Sequence, residues 1–154
     1  MKQAILVLFA AVGATFVALP ALAHHHDPEF FAPPAAGDRV MPFSTAVRSG
    51  PFLFLSGMLA NKPGTPELVP GGIQAETRAT MEKIKAAVEA HGSTMERVVK
   101  CTVFLADMAE WAAMNEVYVE FFPGGKPARS AVEVSGLALD ARVEIECIAV
   151  VEKL

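Results

Sequence analysis

Two segments in the last third of the chain constrain its fold most. Residues 127–134 and 142–150 alternate apolar with polar side chains at period two, which predicts two β-strands with one buried face. Arg129 lies at the start of the first segment and Glu144 at the start of the second. If the strands are adjacent and antiparallel, these two side chains are expected to lie close together.

The Arg129–Glu144 pair has two interpretations. A guanidinium can hold a substrate carboxylate through two parallel hydrogen bonds, while a glutamate can steer or deprotonate a water. The same two residues can instead form an ordinary salt bridge at a sheet edge. The residue types alone leave both open.

The start of the chain has the pattern of a secretory signal peptide. Lys2 precedes an uncharged apolar run over residues 4–19, and Pro20 and Ala21 lead to a small-residue cleavage pattern that ends at Ala23. We expect residues 1–23 to be a signal peptide cut after Ala23, so that the protein is periplasmic or secreted. An uncleaved N-terminal anchor is the alternative.

Residues 24–40 contain prolines and small residues without a period, which predicts a flexible leader. His24, His25 and His26 stand at its start, where an amino-terminal copper or nickel chelate is chemically possible. A solvated tail without a role is the simpler interpretation. We therefore expect no metal site here.

The remaining residues, 41–154, are expected to form one domain. Short strands are predicted over residues 43–47 and 52–56, a helix over 73–91, a strand over 98–105 and a second helix over 107–122. Asp107 and Glu110 have the spacing of a capping box at the start of that second helix. With the two final strands, the order β-β-α-β-α-β-β predicts an α+β sandwich, with two helices on one face of a mixed sheet. The other face of the sheet also carries apolar residues, but no predicted helix covers it. We therefore expect this face to form a subunit interface.

Charge makes one class of partner improbable. The net charge is −4, which argues against a nucleic-acid-binding surface. We therefore expect no nucleic acid as a partner, and no membrane once the signal peptide is removed.

Five short motifs resemble the RidA/YjgF/UK114 family, in order and spacing, from about Phe43 to Val151. They are Pro-Phe-Ser at 42–44, Leu-Ser-Gly at 55–57, the strand at 98–105, Pro-Ala-Arg-Ser at 127–130 and Val-Glu-Ile-Glu at 143–146. The resemblance implies a chorismate-mutase-like fold assembled as a homotrimer, with sites in the clefts between subunits. It also implies hydrolysis of reactive 2-imino or enamine acids, such as 2-iminopropanoate and 2-iminobutanoate, to 2-keto acids and ammonia.

The resemblance also implies roles for individual residues. Arg129 matches the arginine that binds the substrate carboxylate, and Glu144 the acidic residue that orients or activates the attacking water. Gly57 matches a backbone group near the substrate, and Ser56 and Asn115 match polar residues that line the cleft. No metal and no organic cofactor is implied, since an imine is already activated.

Two positions depart from the family pattern. Phe43 stands where many members have a tyrosine, so any hydroxyl contact from this position is absent. One neutral hydrogen bond contributes about 0.5–1.5 kcal/mol, enough to change substrate preference but not to abolish activity. Ala131 stands where some members have a cysteine, which removes a reactive thiol.

Two further expectations complete the sequence-based description. A non-catalytic trimer that binds small ligands, or acts like a chaperone, is the alternative function for this fold. Cys101 and Cys147 lie among apolar neighbours in two predicted strands that the resemblance makes neighbours in the sheet, and we expect two buried free thiols. A disulfide between them would depend on the register of the two strands.

Overall fold

The computed structural model describes residues 27–33 and 41–151, and within these ranges the elements follow the predicted order after one additional strand at the start. The strands and helices are β1 (Glu29–Phe31), β2 (Ala46–Ser49), β3 (Phe52–Leu55), α1 (Gly72–Ala90), β4 (Val98–Leu105), α2 (Trp111–Tyr118), β5 (Ala128–Glu133) and β6 (Val143–Val150). Four short 3-10 turns occupy Met95–Arg97, Met108–Glu110, Val119–Phe121 and Ala138–Asp140. The predicted signal peptide lies outside the described residues, so it stays a prediction.

The six strands form one mixed sheet in the order β1-β2-β3-β6-β4-β5. Its pairs are antiparallel, except that β5 runs parallel to β4. Both helices pack on one face of this sheet, where alternate residues of the central strands form a single apolar core with α1 and α2. The predicted α+β sandwich with two helices on one face is therefore confirmed.

The predicted adjacency of the last two strands is wrong. β4 lies between β5 and β6, pairing with β5 in parallel and with β6 antiparallel. A period-two pattern identifies a strand and its buried face, but it does not say which strand is the neighbour. The short β5–β6 connection spans β4 instead of closing a hairpin.

A short strand forms inside the predicted flexible leader. β1 pairs with β2, and its Phe31 ring stacks on His91 at a centroid distance of 4.0 Å. Arg48 on β2 links β1 to the end of α1. Its Nη2 donates a hydrogen bond to the His91 carbonyl at 2.7 Å, and its Nη1 lies 3.4 Å from the Glu29 carboxylate. Tertiary contacts therefore order residues 29–31.

The predicted capping box is half formed. The Asp107 carboxylate accepts a hydrogen bond from the Ala109 backbone N–H at 2.8 Å, as a cap should. The Glu110 carboxylate, however, pairs with Arg142 at the start of β6. Residues 108–110 accordingly form a 3-10 turn, and the regular helix begins at Trp111.

Cys101 and Cys147 form a disulfide between β4 and β6, with their Cα atoms 4.1 Å apart. The prediction of two free thiols is wrong, although both residues are buried as expected. The two cysteines are direct partners in the register of these strands, so their side chains point to the same face. The register between β4 and β6 places the two cysteines opposite each other, and the residue pattern of a single strand does not reveal that register.

The disulfide leads to a first testable prediction. Alkylation under denaturing, non-reducing conditions is expected to modify neither cysteine, and the intact mass should be lower than that of the reduced chain by two hydrogens. Reduction is expected to lower the free energy of unfolding by about 2–4 kcal/mol, because the bridge closes a loop across a sequence separation of 46. Two alkylated cysteines without reductant would contradict the bridge.

Within residues 27–33 and 41–151, neither helix is long and apolar enough to cross a membrane. Nor do three or more metal-ligating His, Cys, Asp or Glu side chains gather in that part of the chain.

Candidate active site

Arg129 is held at the sheet edge by the second helix. Trp111, Asn115 and Tyr118 are spaced by four and three residues along α2, so they share one helix face. That face lies over the start of β5, and Nη1 of Arg129 donates to Oδ1 of Asn115 at 2.6 Å. This hydrogen bond brings together two of the residues that the resemblance assigns to the site.

Two aromatic rings also contact the Arg129 guanidinium. Its Cζ lies 4.7 Å from the ring centroid of Tyr118 and 5.9 Å from that of Trp111, within the range of cation–π attraction. Burial raises the pKa of Tyr118 to about 12, an effect that Arg129 opposes in part, so the phenol stays neutral. The guanidinium is therefore fixed by one hydrogen bond and by ring contacts that consume none of its other donors.

A hollow of about 370 Å³ opens beside this arginine. Its walls come from α2, from the turn that follows it and from the start of β5. They comprise Trp111, Asn115, Tyr118, Val119, Phe122, Lys126, Pro127 and Arg129. A fixed guanidinium in a largely apolar wall can bind a small carboxylate more strongly than an exposed arginine does, because less water competes.

Glu144 lies on the opposite face of the sheet, against Gly57. Met58 and Ile145 exchange two backbone hydrogen bonds, of 2.9 and 3.1 Å, which hold the segment after β3 beside the start of β6. A Cβ at Gly57 would overlap Oε1 of Glu144 and would lie 2.8 Å from its Cδ. Gly57 is needed because the Glu144 side chain occupies the space that any other residue would fill.

The start of β6 is itself anchored. The buried carboxylate of Glu76 on α1 accepts a hydrogen bond from the Arg142 backbone N–H at 2.9 Å. Burial, and secondarily the charge of Glu146, raise the pKa of Glu144. Glu144 thus lies on an anchored strand and ionises at higher pH than a free glutamate, which suits a group that must accept and return a proton.

Ser56 and Phe43 lie near the Glu144 side of the molecule. The Ser56 hydroxyl donates to the Ser44 carbonyl at 2.6 Å, which ties the segment before β2 to the residue next to Gly57. Phe43 adjoins Ser44 in the chain and is 50% exposed. Its ring is therefore available to a neighbouring molecule rather than buried in the core.

The predicted site residues form two groups instead of one. Arg129 is level with Cys101 and Cys147, whereas Glu144 is level with Phe104 and points to the other face. Their positions differ by about 10 Å along the strand direction and by about 10 Å, or two strand spacings, across the one intervening strand β4. The expected proximity of Arg129 and Glu144 within one chain is wrong, and they do not form a salt bridge with each other.

Two residues of the Arg129 group were not among the predicted site residues. The apolar spacing within the predicted second helix favours a core position for both Trp111 and Tyr118. Tyr118 is buried in the core as this pattern predicts, whereas Trp111 is 44% exposed, and both line the hollow. Their spacing from Asn115 on one helical face was a usable signal. Lys126 and Pro127, just before β5, could also have been found as neighbours of Arg129 in sequence.

Gly57→Ala tests the contact between Gly57 and Glu144. The new methyl group is expected to push the Glu144 carboxylate aside while the backbone stays in place, because the far end of a flexible side chain moves readily. We expect the loss of most of any catalytic activity that depends on the Glu144 carboxylate, while the free energy of unfolding stays within about 1 kcal/mol of the wild-type value. Gly136→Ala is the matched control, since nothing lies within 4 Å of its added Cβ. Full activity in Gly57→Ala would contradict a role for the Glu144 position.

Fold and site together define a small α+β protein with a fixed guanidinium beside a largely apolar hollow at the sheet edge, and with a carboxyl of raised pKa on the open sheet face. Comparison with known proteins shows its family. Residues 34–151 match the family described as endoribonuclease L-PSP. The chain is 50% identical to a RutC family protein of Pyrococcus horikoshii over 108 residues, which is 70% of this chain and 86% of that protein.

Two further relatives carry more specific names. The 2-iminobutanoate/2-iminopropanoate deaminase of Mus musculus is 40% identical over 119 residues, 77% of this chain and 85% of that protein. The crystal structure of E. coli TdcF with bound serine aligns with a TM-score of 0.69 at 37% identity, covering 74% of this chain and 91% of that one. The chain belongs to the endoribonuclease L-PSP family, which is the RidA/YjgF/UK114 family that its motifs resemble.

Proposed function

We propose that this protein hydrolyses 2-imino acids and their enamine tautomers, of the 2-iminopropanoate and 2-iminobutanoate type, to 2-keto acids and ammonia. The observation that carries the proposal is the Arg129 guanidinium, which Asn115 and Tyr118 fix while its remaining donors are left for a carboxylate. The deaminase name of the mouse relative and the serine bound to TdcF support a small carboxylated substrate.

The chemistry needs a positioned water and one proton carrier. Arg129 holds the substrate carboxylate, which fixes the imino carbon next to it. Glu144 accepts a proton from water as the water oxygen bonds to the carbon of the protonated imine, and a neutral tetrahedral aminoalcohol forms. Glu144 then returns this proton to nitrogen, and the C–N bond breaks as Glu144 takes the proton of the hydroxyl. The hydroxyl oxygen becomes the keto oxygen, and the departing ammonia carries that last proton away as ammonium. Water is the only co-reactant, and one keto acid and one ammonia form per imine.

We further propose that the working unit is a homotrimer whose sites lie between subunits. Arg129 and Glu144 cannot reach one substrate within a single chain, because they occupy opposite faces of the sheet. In an assembly, Arg129 of one subunit can face Glu144 of the partner subunit. The sheet face without helices is suited to such contacts, since it exposes apolar residues that include Phe52, Phe54 and Val132.

Phe54→Lys tests the assembly. Phe54 lies at the middle of the open sheet face, opposite Val47 and Ile148, and is 42% exposed, so the substitution leaves the core intact. We expect a folded monomer in analytical ultracentrifugation and loss of nearly all activity. Lys85→Ala on α1 is a control that should leave both unchanged. A trimeric or fully active Phe54→Lys protein would contradict this interface.

One assay tests the proposed reaction. Imines made in situ by an amino-acid oxidase decay slowly without a catalyst, and the protein is expected to speed release of ammonia and 2-keto acid in equal amounts. Unchanged release would favour the alternative, a trimer that binds ligands without turning them over. Ribonuclease activity has less support, because the chain is acidic and His91, the one histidine among the described residues, stacks on Phe31.

The place of action remains part of the proposal. The apolar run before Ala23 supports export to the periplasm or beyond. N-terminal sequencing of the mature protein tests this, and an intact Met1 would oppose it.

A further inference from the structure

The hollow beside Arg129 is larger and more apolar than a small imino acid requires. Its volume is about 370 Å³, within the range of pockets that enclose organic ligands. Five of its eight lining residues are apolar or aromatic, namely Trp111, Tyr118, Val119, Phe122 and Pro127. Asn115 and Arg129 are hydrogen-bonded to each other, which leaves Lys126 as the remaining charged group in the wall.

The geometry relates this hollow to the substrate's side chain. Arg129 belongs to the wall, so a carboxylate bound to its guanidinium leaves the rest of the molecule beside the hollow. The substituent on the imino carbon is the part that can enter it. The Tyr118 hydroxyl makes no hydrogen bond and is buried, so the ring presents its apolar surface there.

A methyl or ethyl substituent would contact only a small part of these walls. Water would remain against the rings of Trp111 and Phe122, and the favourable transfer of that apolar surface out of water would be lost. A branched or aromatic substituent would cover them.

We propose that this hollow is a side-chain subsite, which makes the protein selective for 2-imino acids with large apolar side chains, of the leucine or phenylalanine type. The inference rests on the proposed function for its catalytic form. Each fully buried methylene is expected to raise kcat/KM about fourfold, so the three additional carbons of the leucine-type imine should raise it by roughly ten- to sixtyfold over 2-iminopropanoate.

The first test compares imines made in situ from alanine, leucine and glutamate. A leucine-type preference of tenfold or more in kcat/KM supports the subsite. Equal values, or preference for the alanine-type imine, overturn it. A preference for the glutamate-type imine also overturns it, and would assign the selectivity to Lys126.

Val119 offers a matched pair of variants. This residue is 43% exposed at the mouth of the hollow, so replacement should not unfold the protein. Val119→Glu is expected to lower the leucine-to-alanine ratio of kcat/KM about tenfold or more, since a charge would line the subsite. Val119→Leu keeps the wall apolar and should preserve a preference for the leucine-type imine. An unchanged ratio in Val119→Glu overturns the assignment.

A binding measurement separates the subsite from the reaction. Trp111 is the one tryptophan of the chain and lies in the wall, so its fluorescence reports what enters the hollow. In titrations with 2-keto acids, 4-methyl-2-oxopentanoate is expected to bind at least tenfold more tightly than pyruvate or 2-oxoglutarate. If the 2-keto acids bind in this order of affinity but no imine is hydrolysed, the proposed function is wrong and the subsite is still supported. Tighter binding of pyruvate or 2-oxoglutarate overturns the subsite itself.

Discussion

Replacing Arg129 by alanine is expected to lower kcat/KM for imine hydrolysis by about 10²–10⁴-fold, because two charge-assisted hydrogen bonds to the substrate carboxylate are lost. The fold should survive. Arg129 is only half-buried, and its partners are Asn115 and the rings of Trp111 and Tyr118. Circular dichroism and steady-state kinetics on the same preparation test both statements.

Arg78→Ala is the matched control for this variant. Arg78 on α1 donates two hydrogen bonds to the Glu120 carboxylate in the turn after α2, and an exposed pair of this kind contributes about 0–1 kcal/mol. It should keep full activity. Arg129→Lys should recover little, since an ammonium cannot form the two-pronged contact. An active Arg129→Ala protein would contradict carboxylate capture at this residue.

Glu144→Gln is expected to lower kcat by about 10²–10⁴-fold while 2-keto acids still bind, because the amide keeps the shape of the carboxylate but accepts no proton. The wild-type pH profile should carry the same information. Burial, followed by the Glu146 charge, raises the pKa of Glu144, so activity should fall with decreasing pH through a midpoint above that of a free glutamate. Glu144→Gln should lack this acid limb.

Glu146→Gln is the comparison variant, since it removes only the neighbouring charge on the same sheet face. Its acid limb should move to lower pH, because the charge that raises the pKa of Glu144 is gone. The stability of the wild type has a related trend. A carboxyl with a raised folded pKa stabilises the fold below its unfolded pKa, and that contribution is lost as pH rises through the folded value. If the Glu144→Gln protein turns over substrate as fast as wild type, Glu144 has only a structural role.

The two inactive variants are also each other's control. If every cleft combines Arg129 of one subunit with Glu144 of the partner subunit, random mixed trimers of the two variants contain about a quarter of clefts with both native groups. Unfolding and refolding the variants together should therefore restore activity that neither has alone. No recovery in refolded mixed trimers would contradict a cleft shared between Arg129 of one subunit and Glu144 of the partner subunit.

The helices and strands of this fold were largely predictable from the sequence, but which strands lie next to each other in the sheet was not. Period-two alternation marked β5 and β6, and the spacing of apolar residues marked α1, since these patterns follow from which face is buried. The insertion of β4 between β5 and β6 depends on long-range pairing, which leaves no trace in either segment alone. The same holds for the Cys101–Cys147 bridge, where the register across β4 and β6 replaced the expected free thiols.

The site residues were likewise predictable one by one, but their arrangement was not. The family resemblance identified Arg129, Asn115, Gly57 and Glu144. In the structure Arg129 contacts Asn115, and Glu144 contacts Gly57. Their separation into two groups was not predictable, because the face to which each side chain points depends on sheet order and register. Trp111 was misassigned to the core for a related reason: an aromatic residue on an amphipathic helix is apolar whether it packs inward or lines a pocket.

In the proposed shared site, the placement of Arg129 and Glu144 on opposite faces would make protein concentration a part of catalysis. A lone chain would hold both groups and still bring no substrate between them. The rate per chain would then follow the fraction of chains that have found partners, and it would fall on dilution, unlike the rate of an enzyme whose site lies within one chain. Association itself would then act as the switch.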